Sequence, residues 1–311
     1  MRRFLAVSAV LAVTGSLVGA PGIGYAAPTA PTTIQRLPAH YAAVRQDIER
    51  AADLAATTHD ATRARTLRAF LAPGRRFLAF DARGHGRAVE AVGDPATADR
   101  VAVVVPGADG GLADFDSWKW AGGGARALAA QARSLAPGTR LAVIAWLGYD
   151  SPSTLGPGVL TTGAADAGAG PLRALLTDLH RVNGRARFAL LCHSYGSVLC
   201  GRAAPRLPAG LPVDEIALYG SPGTTARSAS ALSATAAVWA GRARGDWMRH
   251  VPHVRVGGLG FGRDPVSPAF GALRFDAGAG PHSAYLKPGS TALRNLTWIA
   301  LGRDGEVARA A

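Results

Sequence analysis

Residues Leu190-Leu191-Cys192-His193-Ser194-Tyr195-Gly196-Ser197-Val198 pass from an apolar run straight into helix-forming residues, with a serine at the junction. A serine in such a strand-to-helix turn adopts a strained backbone that exposes its hydroxyl, so the residues two before and two after it must be small. Here they are Cys192 and Gly196, with cysteine where glycine is usual. The alternative is an ordinary turn that happens to carry a serine. A serine hydroxyl attacks a carbonyl only when an adjacent base takes its proton. Of the eight histidines, His40, His59, His85 and His180 precede the turn altogether, whereas the chain order for this turn is serine, acid, histidine. His193 adjoins the nucleophile and is expected to point elsewhere and shape the substrate pocket. His282 follows the last apolar run and precedes the last helical stretch, which is the place of the base. The acid that orients it is expected at Asp246, just past the preceding strand, with Asp264 as the alternative acid and Asp276 third.

The negative charge that builds on the attacked oxygen needs backbone donors. One is the N–H of Tyr195, which opens a helix; the other is sought in the glycine-rich run Pro106–Gly111, at Ala108 first and Asp109 second. The chemistry these residues support is hydrolysis of carboxylic esters through an acyl-enzyme, in the manner of esterases and lipases. Two rivals stay open: an acyltransferase with the same triad, and a catalytically silent binding protein held to the cell wall by its arginines.

Several β-rich runs must position these groups. Phe77–Asp81 and Arg87–Val92 read as an antiparallel entry pair. Val101–Val105, Leu141–Leu147, Phe188–Cys192, Glu215–Tyr219, Ala237–Ala240 and Leu273–Asp276 read as further strands, the apolar ones suited to a sheet covered on both faces. Helical patterns over Ala125–Leu135, Pro171–Val182, Tyr195–Ala204 and Thr291–Leu301, and a Ser/Ala-rich helical stretch between Tyr219 and Ala237, alternate with them. This alternation predicts a doubly wound, mostly parallel α/β sheet, with its site at the carboxyl ends of the strands. Helical spacing over Leu37–Leu71 predicts an N-terminal helical extension. Trp146, Tyr149 and Asp150 follow a strand and are expected either to line the substrate pocket or to pack at the sheet edge. Trp118, Trp120 and Gly122–Gly124 are expected either as a mobile flap over the site or as a helix lead-in, and Gly257–Gly262 as a loop that forms part of a lid.

The first 26 residues carry Arg2 and Arg3, an apolar run from Phe4 to Ala20, and small residues at Gly24 and Ala26, as an export signal does. The reading is therefore of a signal over 1–26, a linker and helical extension over 27–74, and a catalytic domain over 75–311. The expected location is extracellular or at the cell envelope, with no stable membrane span. The net charge of +13 includes the two signal arginines, and the remaining cations are dispersed, which argues against nucleic acid and allows weak association with an anionic envelope. The expected partner is a small-molecule ester or lipid substrate. No zinc spacing and no phosphate-binding glycine motif is present in the sequence, so no cofactor and no metal is expected. Export would permit a bridge between Cys192 and Cys200. A strand end and a position two turns into the next helix are nevertheless about 9 Å apart along the helix axis, beyond the roughly 7 Å a disulfide spans, which predicts free buried thiols.

Val105-Pro106-Gly107, Trp146-Leu147-Gly148-Tyr149-Asp150, the His193–Gly196 turn, Gly220-Ser221-Pro222-Gly223, Arg263-Asp264-Pro265 and His282-Ser283-Ala284-Tyr285 form a distinctive set. Together they resemble a family of exported actinobacterial α/β hydrolases long grouped as a domain of unknown function. The resemblance runs from about Val101 to Leu301. It implies the α/β-hydrolase fold and a triad of Ser194, Asp246 and His282. Cys192 and the plain Ala108-Asp109 pair depart from the pattern.

Overall fold

The computed structural model describes residues 24–310. The expected export signal therefore lies almost wholly outside the described residues. Eight strands form one sheet in the order β1-β2-β4-β3-β5-β6-β7-β8. They are β1 (Phe77–Asp81), β2 (Arg87–Val92), β3 (Arg100–Val105), β4 (Leu141–Leu147), β5 (Arg187–His193), β6 (Val213–Tyr219), β7 (Ala237–Gly241) and β8 (Leu273–Arg274). β2 runs antiparallel to both β1 and β4; every other pairing is parallel.

The central strands are apolar at successive positions because each face of the sheet is covered. Successive side chains alternate between faces. Ala102 and Val104 thus enter one core with α3 (Ala121–Leu135) and α7 (Thr291–Ala300). Val101, Val103 and Val105 enter the other with α4 (Gly163–Val182) and α5 (Tyr195–Ala203). The N-terminal extension is two helices, α1 (Leu37–Thr57) and α2 (Ala61–Phe70), the second capped by the Asp60 side chain on Arg63 N–H. Residues ahead of α1 are pinned too: Thr29 and Ala30 N–H donate to Asp47, and Ile34 N–H donates to Asp178 on α4.

Four expectations are corrected or narrowed. Helix α4 starts eight residues before Pro171, which sits inside it. The carbonyl that loses its partner there belongs to Ala167, on the exposed face, where water can serve it. Of the two alternatives for Gly122–Gly124 the helix lead-in holds and the flap falls, because they form the first turn of α3. The helical stretch expected between β6 and β7 shrinks to a single turn, α6 (Ala229–Leu232).

The fourth concerns the cysteines: Cys192 and Cys200 are disulfide-bonded, with Cα atoms 6.5 Å apart. The axial estimate neglected that α5 doubles back along β5 after the turn at Ser194. Cys200 lies about 9 Å back along the helix and Cys192 about 7 Å back along the strand, so the two displacements largely cancel. Cys192 also points to the sheet face on which α5 packs.

Candidate active site

Ser194 joins β5 to α5 with φ 50° and ψ −127°, a left-handed-side conformation rare for a residue with a side chain. Its N–H donates to Tyr219 O on β6. The turn is tight enough that a Cβ on Gly196 would lie 2.5 Å from Val105 O and 2.7 Å from Pro106 O. That contact explains why only glycine serves two residues after the serine. Cys192 is accepted two residues before it because its side chain turns into the α5 core.

His282, in the loop after β8, places Nε2 2.9 Å from Ser194 Oγ. Its Nδ1 lies 2.8 and 3.0 Å from Asp246 Oδ1 and Oδ2. Asp246, after β7, is fully buried. Burial alone would raise its carboxyl, but hydrogen bonds from His282, Tyr285 and the N–H of Met248 outweigh it and hold the group below the usual carboxylate range. The Tyr285 hydroxyl donates to Asp246 Oδ2 at 2.5 Å and accepts from Ala243 N–H at 3.1 Å. Burial, followed by the charge on Asp246, pushes this phenol up, so it remains a donor.

The structure thus brings together Ser194, His282 and Asp246, and leaves both other acids elsewhere. Asp264 pairs with Arg242 at 2.8 Å and stands 3.6 Å from His253. Asp276 accepts from Gly278 N–H and, through its carbonyl, from Asn295. His193 lies under the base: its Nε2 is 2.9 Å from His282 O and the two rings are 4.8 Å apart. Burial pushes its ring down to about 3, with the neighbouring His282 adding to the effect, so it stays uncharged at neutral pH.

Tyr195 opens α5, so its N–H has no intrahelical acceptor. The loop after β3 comes close beside it: a Cβ on Gly107 would lie 2.7 Å from Ser194 Cβ and 3.1 Å from its Oγ. The N–H of Ala108 has no acceptor among the described residues. That of Asp109 is spent on Pro152 O at 2.9 Å, which removes the second choice for an oxyanion donor.

Tyr149 and Trp146 do not line the pocket. They are 2% and 1% exposed and stack on each other, and Tyr149 also stacks on Tyr195. The Tyr149 hydroxyl donates to Pro106 O and Gly107 O, and Ser151 Oγ donates to Gly107 O. These contacts fix the Gly107–Ala108 loop from behind. Asp150 is also outside the pocket, 81% exposed and 3.7 Å from Arg87.

The cavity above Ser194 has a volume of about 550 Å³. Its walls are apolar, from Trp120, Val159, Leu160, Met248, Val251 and Phe261, and His193 reaches it as expected. Trp247 stands 4.9 Å from the His282 ring at the mouth. Trp120, Gly260 and Phe261 of this wall fall in the segments expected as flap and lid, whereas sequence reasoning missed Val159, Leu160, Met248 and Val251 and the bond from Tyr285. The wall had a signal: no acidic residue occurs between Asp246 and Asp264. Tyr285 had none beyond its place in the His282–Tyr285 motif. Among the described residues no cluster of His, Cys, Asp and Glu fit to hold a metal occurs.

A sheet of this order, with a strained serine at the end of its central strand and partners on the later loops, is the architecture of the α/β hydrolases. The chain belongs to that family: residues 81–256 match the model described as Alpha/beta hydrolase. An uncharacterized protein of Mycobacterium tuberculosis is 33% identical over 260 residues, covering 72% of this chain and 38% of that protein. An uncharacterized protein of Mycobacterium bovis is 37% identical over 180 residues, covering 54% of this chain and 66% of that protein. The chain thus spans less than two-thirds of the length of these curated relatives. Among solved structures, a serine hydrolase without a lid from Xanthomonas campestris aligns with TM-score 0.43 at 14% identity, covering 77% of this chain and 98% of that one. Esterase LipW from Mycobacterium marinum aligns with TM-score 0.43 at 16% identity, covering 84% and 89%.

Proposed function

We propose that this protein is an exported serine hydrolase that cleaves carboxylic esters of apolar acyl groups through an acyl-enzyme. The observation that carries the reading is the continuous relay from Asp246 through His282 to Ser194 at the floor of an apolar cavity. Ser194 Oγ bonds to the ester carbonyl carbon while its proton passes to His282 Nε2. Asp246 keeps the other ring nitrogen protonated and offsets the imidazolium charge. The carbonyl oxygen, now negative, is stabilised by the N–H groups of Tyr195 and Ala108. His282 then gives its proton to the departing alkoxide, and the alcohol leaves an acyl-serine. Water attacks that acyl carbon by the same route, its proton going to His282 and from there to Ser194, which releases the carboxylic acid.

Export is supported by the signal-like N-terminus and by the Cys192–Cys200 bridge, since disulfides persist mainly outside the reducing cytoplasm. The test of the catalytic reading is a fluorophosphonate probe with p-nitrophenyl esters of increasing chain length. Ser194→Ala should abolish labelling and lower kcat by about 10⁴-fold or more, and medium and long acyl chains should outperform acetate. Folded wild-type protein that takes no label would overturn the proposal.

A further inference from the structure

Among the described residues, seven large apolar side chains stand exposed. Six of them are Leu155, Leu160, Trp247, Val254, Val256 and Leu259, between 53% and 98% exposed. All six belong to the two segments that wall the Ser194 cavity. Leu160 and Trp247 line the cavity itself, and Gly260 N–H donates to Leu160 O, joining the segments into one rim. Val256 and Leu259 flank a two-residue hairpin turn in which they exchange both backbone hydrogen bonds. Gly257 and Gly258 form its tip with φ +57° and +87° and nothing packed against them. A concentration of exposed apolar groups around a site mouth marks a contact surface.

The charges of the rim say what it contacts. No acidic residue occurs over 151–165 or over 247–263, and the one carboxylate lining the cavity, Asp109, is engaged by Thr154 N–H and Oγ1. Some arginines elsewhere are paired with carboxylates, such as Arg75 with Glu90, Arg100 with Asp214 and Arg202 with Asp166. Arg244, Arg249 and Arg255, all exposed beside the rim, pair with no carboxylate among the described residues. Exposed apolar side chains together with unneutralised cations along one segment suit the surface of an anionic lipid leaflet, which offers acyl chains beneath negative headgroups. We propose that this rim docks the protein on the surface of an anionic lipid bilayer, opening the Ser194 cavity directly towards the acyl layer. The use made of the surface rests on the ester-hydrolase reading; the docking itself does not.

The test is co-sedimentation of the full chain carrying Ser194→Ala with vesicles of phosphatidylglycerol or of phosphatidylcholine, at about 0.15 M salt. Phosphatidylglycerol vesicles should bind the protein at least about tenfold more tightly, three arginines each contributing at the surface. Leu155→Ser, Val256→Ser and Leu259→Ser are combined because none of these three side chains lines the cavity. They should weaken that binding by about tenfold or more. In the Ser194 background the same triple variant should hydrolyse soluble p-nitrophenyl acetate at the wild-type rate and keep the wild-type Tm. Absence of sedimentation, equal binding to both lipids, or undiminished binding of the folded triple variant would each overturn the docking surface. Binding by a protein whose wild type hydrolyses no ester would sustain the surface and sink the activity.

Discussion

Asp246 accepts three donors, and only one of them is the His282 ring. Tyr285 supplies another from the loop that carries His282, so acid and base are tied twice. Tyr285→Phe leaves Asp246 Oδ2 with His282 alone and orphans Ala243 N–H, at about 1–3 kcal/mol for the unsatisfied group. Because the Tyr285 bond helps to hold the Asp246 carboxyl low, its loss raises that carboxyl. The expected result is a kcat about tenfold lower, KM little changed, and an acid-side loss of activity that begins at higher pH. A variant that lost stability but kept its pH profile would contradict this. At this scale the sequence was informative where chain order and turn chemistry restrict the choice, as for Ser194, His282 and Asp246. Tyr285 was silent because a tyrosine in a loop carries no periodic signal. Trp146 and Tyr149 invited the wrong reading for a physical reason: a large aromatic after a strand suits a pocket or a buried stack equally, and only coordinates separate the two.

Among the elements, the strands were legible because a sheet covered on both faces demands unbroken apolar runs such as Val101–Val105. The extent of α4 was not, because Pro171 and its neighbouring glycines oppose helix propensity and packing against α5 overrides them. The disulfide was misjudged because distance along a helix says nothing of the direction in which the chain returns. The bridge clamps the end of β5 to α5, two residues before Ser194 on its strand side and within the helix on the other. It closes a short loop of eight residues' separation, for which chain entropy gives about 2–3 kcal/mol. Cys192→Ser with Cys200→Ser should therefore lower Tm by roughly 5–10 °C. Calorimetry on the oxidised protein and the double variant checks this; an unchanged Tm would show that the bridge adds nothing to stability.

Across the whole molecule one buried group opposes folding at high pH. Glu215, on β6 at the sheet end away from Ser194, accepts from Trp239 Nε1 at 2.8 Å. Burial pushes its carboxyl up from 4.5 to about 8, with Asp304 and Asp214 adding and Trp239 and Arg100 opposing. The folded state then holds a proton that the unfolded chain releases between pH 4.5 and about 8, so stability falls as pH rises through that window and levels off above it. Glu215→Gln keeps an acceptor for Trp239 and should raise Tm at pH 8.5 relative to pH 5, flattening the profile against wild type. Thermal melts across this range decide it, and parallel profiles for the two proteins would show that Glu215 is ionised throughout.

The position of Asp246 has a consequence for how such a protein can change. Trp247 follows it directly, and the cavity wall continues to Phe261 with only the one-turn 3-10 helix Trp247–His250 and no strand or α-helix between. Insertions that reshape this wall must begin beside the very carboxylate that the imidazole depends on, so lineages are constrained there. The opposite wall, at Val159 and Leu160, carries none of the three relay residues. New acyl preferences are freer to evolve from that side.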